Sequence, residues 1–200
     1  MMKQQIVIIH GGNAFDSYKK YLADLKRKKL DLERLTKVGW KDTLAERLGE
    51  EFEVLRPEMP NKMNAKYIEW KIWFDKFKPF IKHNAIFIGH SLGGIFLARY
   101  LSENKFPKKI KATLLVAAPY NTKKEHPLAD FIITKKLDLF AKQGGEIIMY
   151  HSKDDNVVKF SNYKRYQEAL PEARAVLFFK KGHFNQEEFP ELITDIRSLA

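Results

Sequence analysis

The chain contains no cysteine, which excludes a disulfide framework, a thiolate nucleophile and a cysteine-based metal site. No apolar stretch approaches the roughly 18 residues that a membrane-spanning helix needs. The opening MMKQQIVIIHGG runs straight into a short apolar strand and lacks the charged-then-apolar layout and cleavage site of a secretory signal. No internal repeat, low-complexity tract or compositional break marks a linker. The expectation is a soluble, cytoplasmic protein with one domain spanning residues 1–200.

What is present is a core-forming composition with an excess of positive charge. Of 200 residues, 44% are apolar and 13% aromatic, enough for a packed interior. The formal net charge is +11. Much of it is local: from Tyr18 to Lys41 nine Lys/Arg (19, 20, 26, 27, 28, 29, 34, 37, 41) face three acids (24, 31, 33), and nine minus three leaves +6. Such a run is ordinarily a solvated face. Its other reading is a docking segment for an acidic partner at Lys26, Arg27, Lys28 and Lys29. No nucleic-acid-binding motif accompanies it.

Six short, mostly continuous apolar runs read as strands buried on both faces: 4–10, 51–57, 85–90, 112–119, 146–152 and 173–180. Helical patterns occupy the intervals, at about 16–36, 41–49, 64–81, 92–103, 128–142, 159–169 and 186–199. Strands alternating with helices imply an α/β fold, with a mostly parallel sheet of about six strands and helices on both faces. In the first interval Tyr18, Tyr21, Leu22, Leu25, Leu32 and Leu35 recur at helical spacing, so it reads as an amphipathic helix. Tyr67, Trp70, Trp73, Phe74 and Phe77 recur likewise and read as core or pocket wall.

The chemistry centres on Gly89-His90-Ser91-Leu92-Gly93, between an apolar strand and a helix. A serine nucleophile in this context sits in a strained turn, so the residues two before and two after it must be small. The competing reading is a Gly-rich turn in which Ser91 merely caps the helix. A serine hydroxyl needs a base, and sites in this architecture lie at the carboxyl ends of the strands. His183, in a loop beyond the last strand, is the candidate base. The acid comes from HSKDDNVV, where Asp155 is preferred because Val157 and Val158 can bury it. Asp154 reads as a loop cap. Leu92 N–H supplies one oxyanion donor, and Gly12, with Asn13 as runner-up, supplies the other. His10 and His90 flank these loops as buttresses and, with Asn13, as substrate-binding candidates. Phe15, His126 and Phe184 are weaker candidates for the acyl pocket. The reaction needs no metal or organic cofactor.

With these residues assembled, the chain resembles the α/β-hydrolases, and within them the small lidless serine hydrolases related to retinoblastoma-binding protein nine. The resemblance rests on HGG at 10–12, GW at 39–40, MP at 59–60, the tryptophans at 70 and 73, and GHS at 89–91. DD at 154–155, GHF at 182–184 and ELIT at 191–194 complete it. It implies a Ser91–Asp155–His183 triad, esterase-like acyl hydrolysis of a small acyl ester, and the second aspartate of the pair as acid. The chain departs from the family pattern at about 14–38, where a basic helix reads as an insertion. A thioesterase, lipase or peptidase would use the same triad. An interaction protein that kept the fold is the alternative from another class.

Overall fold

A computed structural model describes residues 3–32, 36–121 and 128–200. Its frame is six strands: β1 (Gln4–Ile9), β2 (Phe52–Leu55), β3 (Ala85–His90), β4 (Ile110–Val116), β5 (Glu146–Ser152) and β6 (Arg174–Phe178). All neighbouring pairs are parallel, in the order β2-β1-β3-β4-β5-β6. Helices α1 (Tyr18–Arg27), α2 (Trp40–Leu48), α3 (Tyr67–Phe77), α4 (Leu92–Glu103), α5 (Asp138–Gln143) and α6 (Ser161–Ala169) lie between them, and α7 (Pro190–Leu199) follows β6. A single turn of 3-10 helix, Lys78–Phe80, extends α3.

Alternating residues of each central strand feed two cores, because successive side chains leave a strand on opposite faces. Val7 and Ile9 of β1 join Trp70 and Phe74 of α3, Phe96 and Leu97 of α4, and Tyr163 and Tyr166 of α6. Ile6 and Ile8 join Trp40 and Leu44 of α2 and Leu192 and Ile196 of α7 on the other face. Phe74 is fully buried and packs edge-on against Tyr100, ring centroids 4.9 Å apart. Burying such a side chain contributes about 2–3 kcal/mol. Chain order reverses between β1 and its two neighbours, and the carboxyl ends of β1 and β3 therefore flank a crevice.

Four expectations need correction. The helix expected over 128–142 forms only at Asp138–Gln143. Before it, the Asn121 side chain grips Ile133 at both its N–H (2.7 Å) and its carbonyl (2.8 Å), holding an irregular segment whose Leu128, Phe131 and Ile133 are buried. The helix expected over 16–36 ends at Arg27, where Lys28 turns extended. Residues 33–35, Leu35 included, lie outside the described residues. Trp73, expected inside, is 45% exposed, because α3 turns only its Tyr67, Trp70 and Phe74 edge inward. The fourth strand stops at Val116 rather than running to 119, since Ala117 takes a positive φ of 46°.

Candidate active site

The β3–α4 junction is built by close backbone approach. A Cβ on Gly93 would lie 2.2 Å from the Ile9 carbonyl oxygen, and one on Gly89 would lie 2.6 Å from the Gly93 carbonyl oxygen. Only glycine lets strand β1, strand β3 and helix α4 meet here. Between them Ser91 adopts φ 54°, ψ −120°, which a non-glycine residue holds only under strain from well-packed surroundings. Its N–H donates to the Val116 carbonyl (2.8 Å) and its carbonyl accepts from Gly94 (2.8 Å). The side chain makes no capping bond to α4. The serine-cap reading therefore fails, and the hydroxyl is free to face elsewhere.

It faces His183. Nε2 of His183 lies 2.9 Å from Ser91 Oγ, and Nδ1 lies 2.8 Å from Asp155 Oδ2. The other oxygen of Asp155 accepts from the N–H groups of Val157 (2.8 Å) and Val158 (2.9 Å). The carboxylate is thus buried, fully bonded and aimed at one ring nitrogen. With Asp155 accepting at Nδ1, the imidazole carries its proton there and leaves the Nε2 lone pair toward Ser91. Asp154 points elsewhere: its Oδ1 accepts from Gly182 N–H (3.0 Å) and from the Ser152 hydroxyl, tying down the loop that carries His183. Ser152 also accepts from Lys181 N–H (3.0 Å). On the far side Trp40 Nε1 donates to the Phe184 carbonyl (2.9 Å).

His10 and His90 serve as struts. His10 Nε2 accepts from Met59 N–H (2.8 Å), so its Nδ1–H donates to the Gly11 carbonyl (2.6 Å). His90 is buried, its Nε2–H donating to the His183 carbonyl (3.0 Å) and its Nδ1 accepting from Lys41 Nζ (3.2 Å). Burial lowers the pKa of both rings, and the neighbouring Lys41 ammonium lowers that of His90 further. Both rings are therefore held neutral. Asn13 N–H donates to the Lys62 carbonyl (2.8 Å) and is not available to a substrate. Of the two oxyanion candidates in that loop, Gly12 N–H makes no backbone hydrogen bond among the described residues, and a Cβ there would lie 2.7 Å from the same Lys62 oxygen. Phe184 is fully buried among Phe178 and Phe189, so it belongs to the core and not to an acyl pocket. Phe15 is buried beside Tyr21, and His126 lies outside the described residues.

Two cavities adjoin this end of the sheet. One, of about 550 Å³, is lined by His10, Gly11, Lys41, Glu58 and His90 among others. The second, about 680 Å³, lies between Tyr18 and Tyr21 of α1 and the segment from Glu58 to Glu69. Sequence reasoning missed Lys41. Its available signal was a lysine in the first turn of a helix, where a cation opposes the helix dipole.

Against known proteins, the chain matches the serine hydrolase family over residues 35–192. The protein belongs to that family. Helix α1 lies ahead of the matched span. The chain is 26% identical to the serine hydrolase RBBP9 of Rattus norvegicus over 151 residues, covering 74% of this chain and 78% of that protein. Its fold is similar to the ydeN gene product of B. subtilis, with a TM-score of 0.78, 20% identity and 98% of both chains covered. A structure of carboxylesterases from Nitrososphaera gargenis is similar at a TM-score of 0.60 and 14% identity, over 98% of this chain and 89% of that one. The six-stranded parallel sheet with its flanking helices is an α/β-hydrolase fold without a large extra domain.

Proposed function

We propose that this serine hydrolase cleaves carboxylic esters through an acyl-enzyme formed on Ser91. The observation that carries the reading is the continuous chain from Ser91 Oγ to His183 (2.9 Å) to Asp155 (2.8 Å) on a strained strand–helix turn. His183 Nε2 takes the hydroxyl proton as Oγ bonds to the ester carbonyl carbon. Asp155 accepts the Nδ1–H bond and stabilises the imidazolium. The N–H groups of Leu92 and Gly12 hold the developing oxyanion. The carbon–oxygen bond to the alcohol then breaks, and His183 returns its proton to the departing oxygen. A water molecule, deprotonated by the same ring, attacks the acyl-serine. The acid leaves and Ser91 regains its proton.

The test is labelling by a fluorophosphonate probe, followed by p-nitrophenyl esters of increasing acyl length. Labelling of the native protein and none of Ser91→Ala is expected. Wild-type rates of ester cleavage by Ser91→Ala would end the proposal. A second reading rests on α1, which has no buried residue and exposes Tyr18, Leu22 and Leu25 beside a basic C-terminal turn. On this reading the segment with Lys26, Arg27, Lys28 and Lys29 holds an acidic partner. Such binding would weaken with salt, survive Ser91→Ala, and disappear when the four cations are neutralised.

A further inference from the structure

The reaction above uses Ser91, His183, Asp155 and two backbone donors, and leaves Lys41 unexplained. Lys41 is the second residue of α2. A cation in a first turn meets the positive end of the helix dipole. Burial is a second cost and lowers the pKa of this ammonium to about 8. A third is a counter-ion that is shared rather than its own. The adjacent Asp42 is engaged by Gly39 N–H (2.8 Å) and Arg56 (2.5 Å), and no ion pair among the described residues includes Lys41. Of three ammonium donors, one goes to His90 Nδ1, and the Trp40 ring lies 4.8 Å from Nζ. Three unfavourable terms on one side chain mark a charge kept for something outside the folded chain.

Lys41 and Gly11 both border the 550 Å³ cavity, and Gly11 stands between that cavity and Ser91. A Cβ on Gly11 would lie 3.2 Å from Ser91 Cβ and 3.6 Å from His90 Nδ1. Arg56 also lines it but is balanced by Asp42. Lys62 has no ion pair among the described residues, and its charge lowers the pKa of His10. Glu58 is exposed at the wall and opposes these cations. The Lys41 ammonium is therefore only partly balanced, by an Asp42 carboxylate that Arg56 also engages. We propose that this cavity is a subsite for a carboxylate carried by the ester substrate, with Lys41 as its counter-ion and Lys62 as a weaker contact. With Arg56 tied to Asp42 and Glu58 opposing Lys62, the net charge offered is close to one, which favours a carboxylate over a phosphate dianion. This inference rests on the acyl-transfer reading and adds a substrate class to it.

The test uses the full chain and two pairs of activated esters. p-Nitrophenyl hemisuccinate against p-nitrophenyl butyrate places the charge on the acyl side. 4-Acetoxybenzoate against phenyl acetate places it on the alcohol side. In at least one pair the wild type should favour the anionic ester in kcat/KM, mainly through KM. Lys41→Met should lower that preference by about tenfold or more, the scale of one charge-assisted contact. Lys41→Arg should restore part of it, and Lys62→Gln should lower it by roughly threefold. No preference for the anionic ester in either pair, with neutral esters cleaved, overturns the subsite and leaves the hydrolase reading standing. Equal losses on charged and neutral esters in Lys41→Met also overturn it, assigning the lysine to the support of His90. Absence of all ester turnover and of fluorophosphonate labelling would instead remove the acyl-transfer reading, and the subsite with it.

Discussion

Two helices enter from the carboxyl edge of this sheet and could hardly differ more. Helix α4 follows β3 through Ser91 and buries ten of its twelve residues. Helix α1 follows β1 by way of the HGG loop and buries none of its ten. Both satisfy a simple apolar periodicity. In α4 the apolar residues meet strands and aromatic rings on every side. In α1 Tyr21 meets the Phe15 ring, and Tyr18, Leu22 and Leu25 are exposed. The difference teaches that precision at this edge is concentrated where glycine allows backbone contact, while α1 buries none of its residues.

Removing the proposed nucleophile breaks the comparison most severely. Ser91→Ala should lower kcat for p-nitrophenyl acetate by about 10⁶-fold without unfolding the protein, measured with parallel circular dichroism. Asp155→Asn should lower it by about 10⁴-fold through the wrong imidazole tautomer. Asp154→Asn, which touches only the loop, should cost on the order of tenfold. Equal effects of the two aspartates would remove the distinction between their roles. Gly93→Ala places a methyl group 2.2 Å from the Ile9 carbonyl oxygen and should destabilise by about 3 kcal/mol or more in urea titration.

Buried histidines sharpen the contrast through pH. Burial depresses the folded-state pKa of both His90 and His151, with Lys41 and His183 respectively adding to the effect. The unfolded chain then binds more protons below its ordinary value near 6.5. The stability these neutral rings carry is complete above that value and is lost as pH falls through it. Between pH 7.5 and 5.5 the loss should reach about 1–3 kcal/mol, read as a lower urea midpoint. The smallest effect belongs to α1. Leu22→Ser and Leu25→Ser should each change stability by under about 0.5 kcal/mol in thermal unfolding. A larger loss would mean that α1 is packed like α4.

Much of the site was legible in order along the chain. The glycine spacing around Ser91 predicts backbone contact because no other residue fits it, and the apolar pair Val157–Val158 supplies the two N–H groups that select Asp155. Gly182 predicts a loop able to project His183, and it takes φ 52°. Phe184 was misread because an aromatic residue beside a catalytic loop has no periodicity to show which way it points. The segment at 128–137 was misread because its buried Leu128, Phe131 and Ile133 resemble an apolar helix face, while Asn121, distant from any helical repeat, holds Ile133.

The sequence by itself determined the alternation of strands and helices, the strained turn at Ser91 and the Ser, Asp, His order of the candidate triad, since these follow from local steric and periodic rules. Only the tertiary structure decided which neighbours close the site: His90 bracing the His183 carbonyl, the Lys62 carbonyl occupying Asn13 N–H, and Lys41 arriving beside His90. Contacts between residues some fifty to ninety positions apart depend on how the sheet and its helices pack, and no local pattern encodes them.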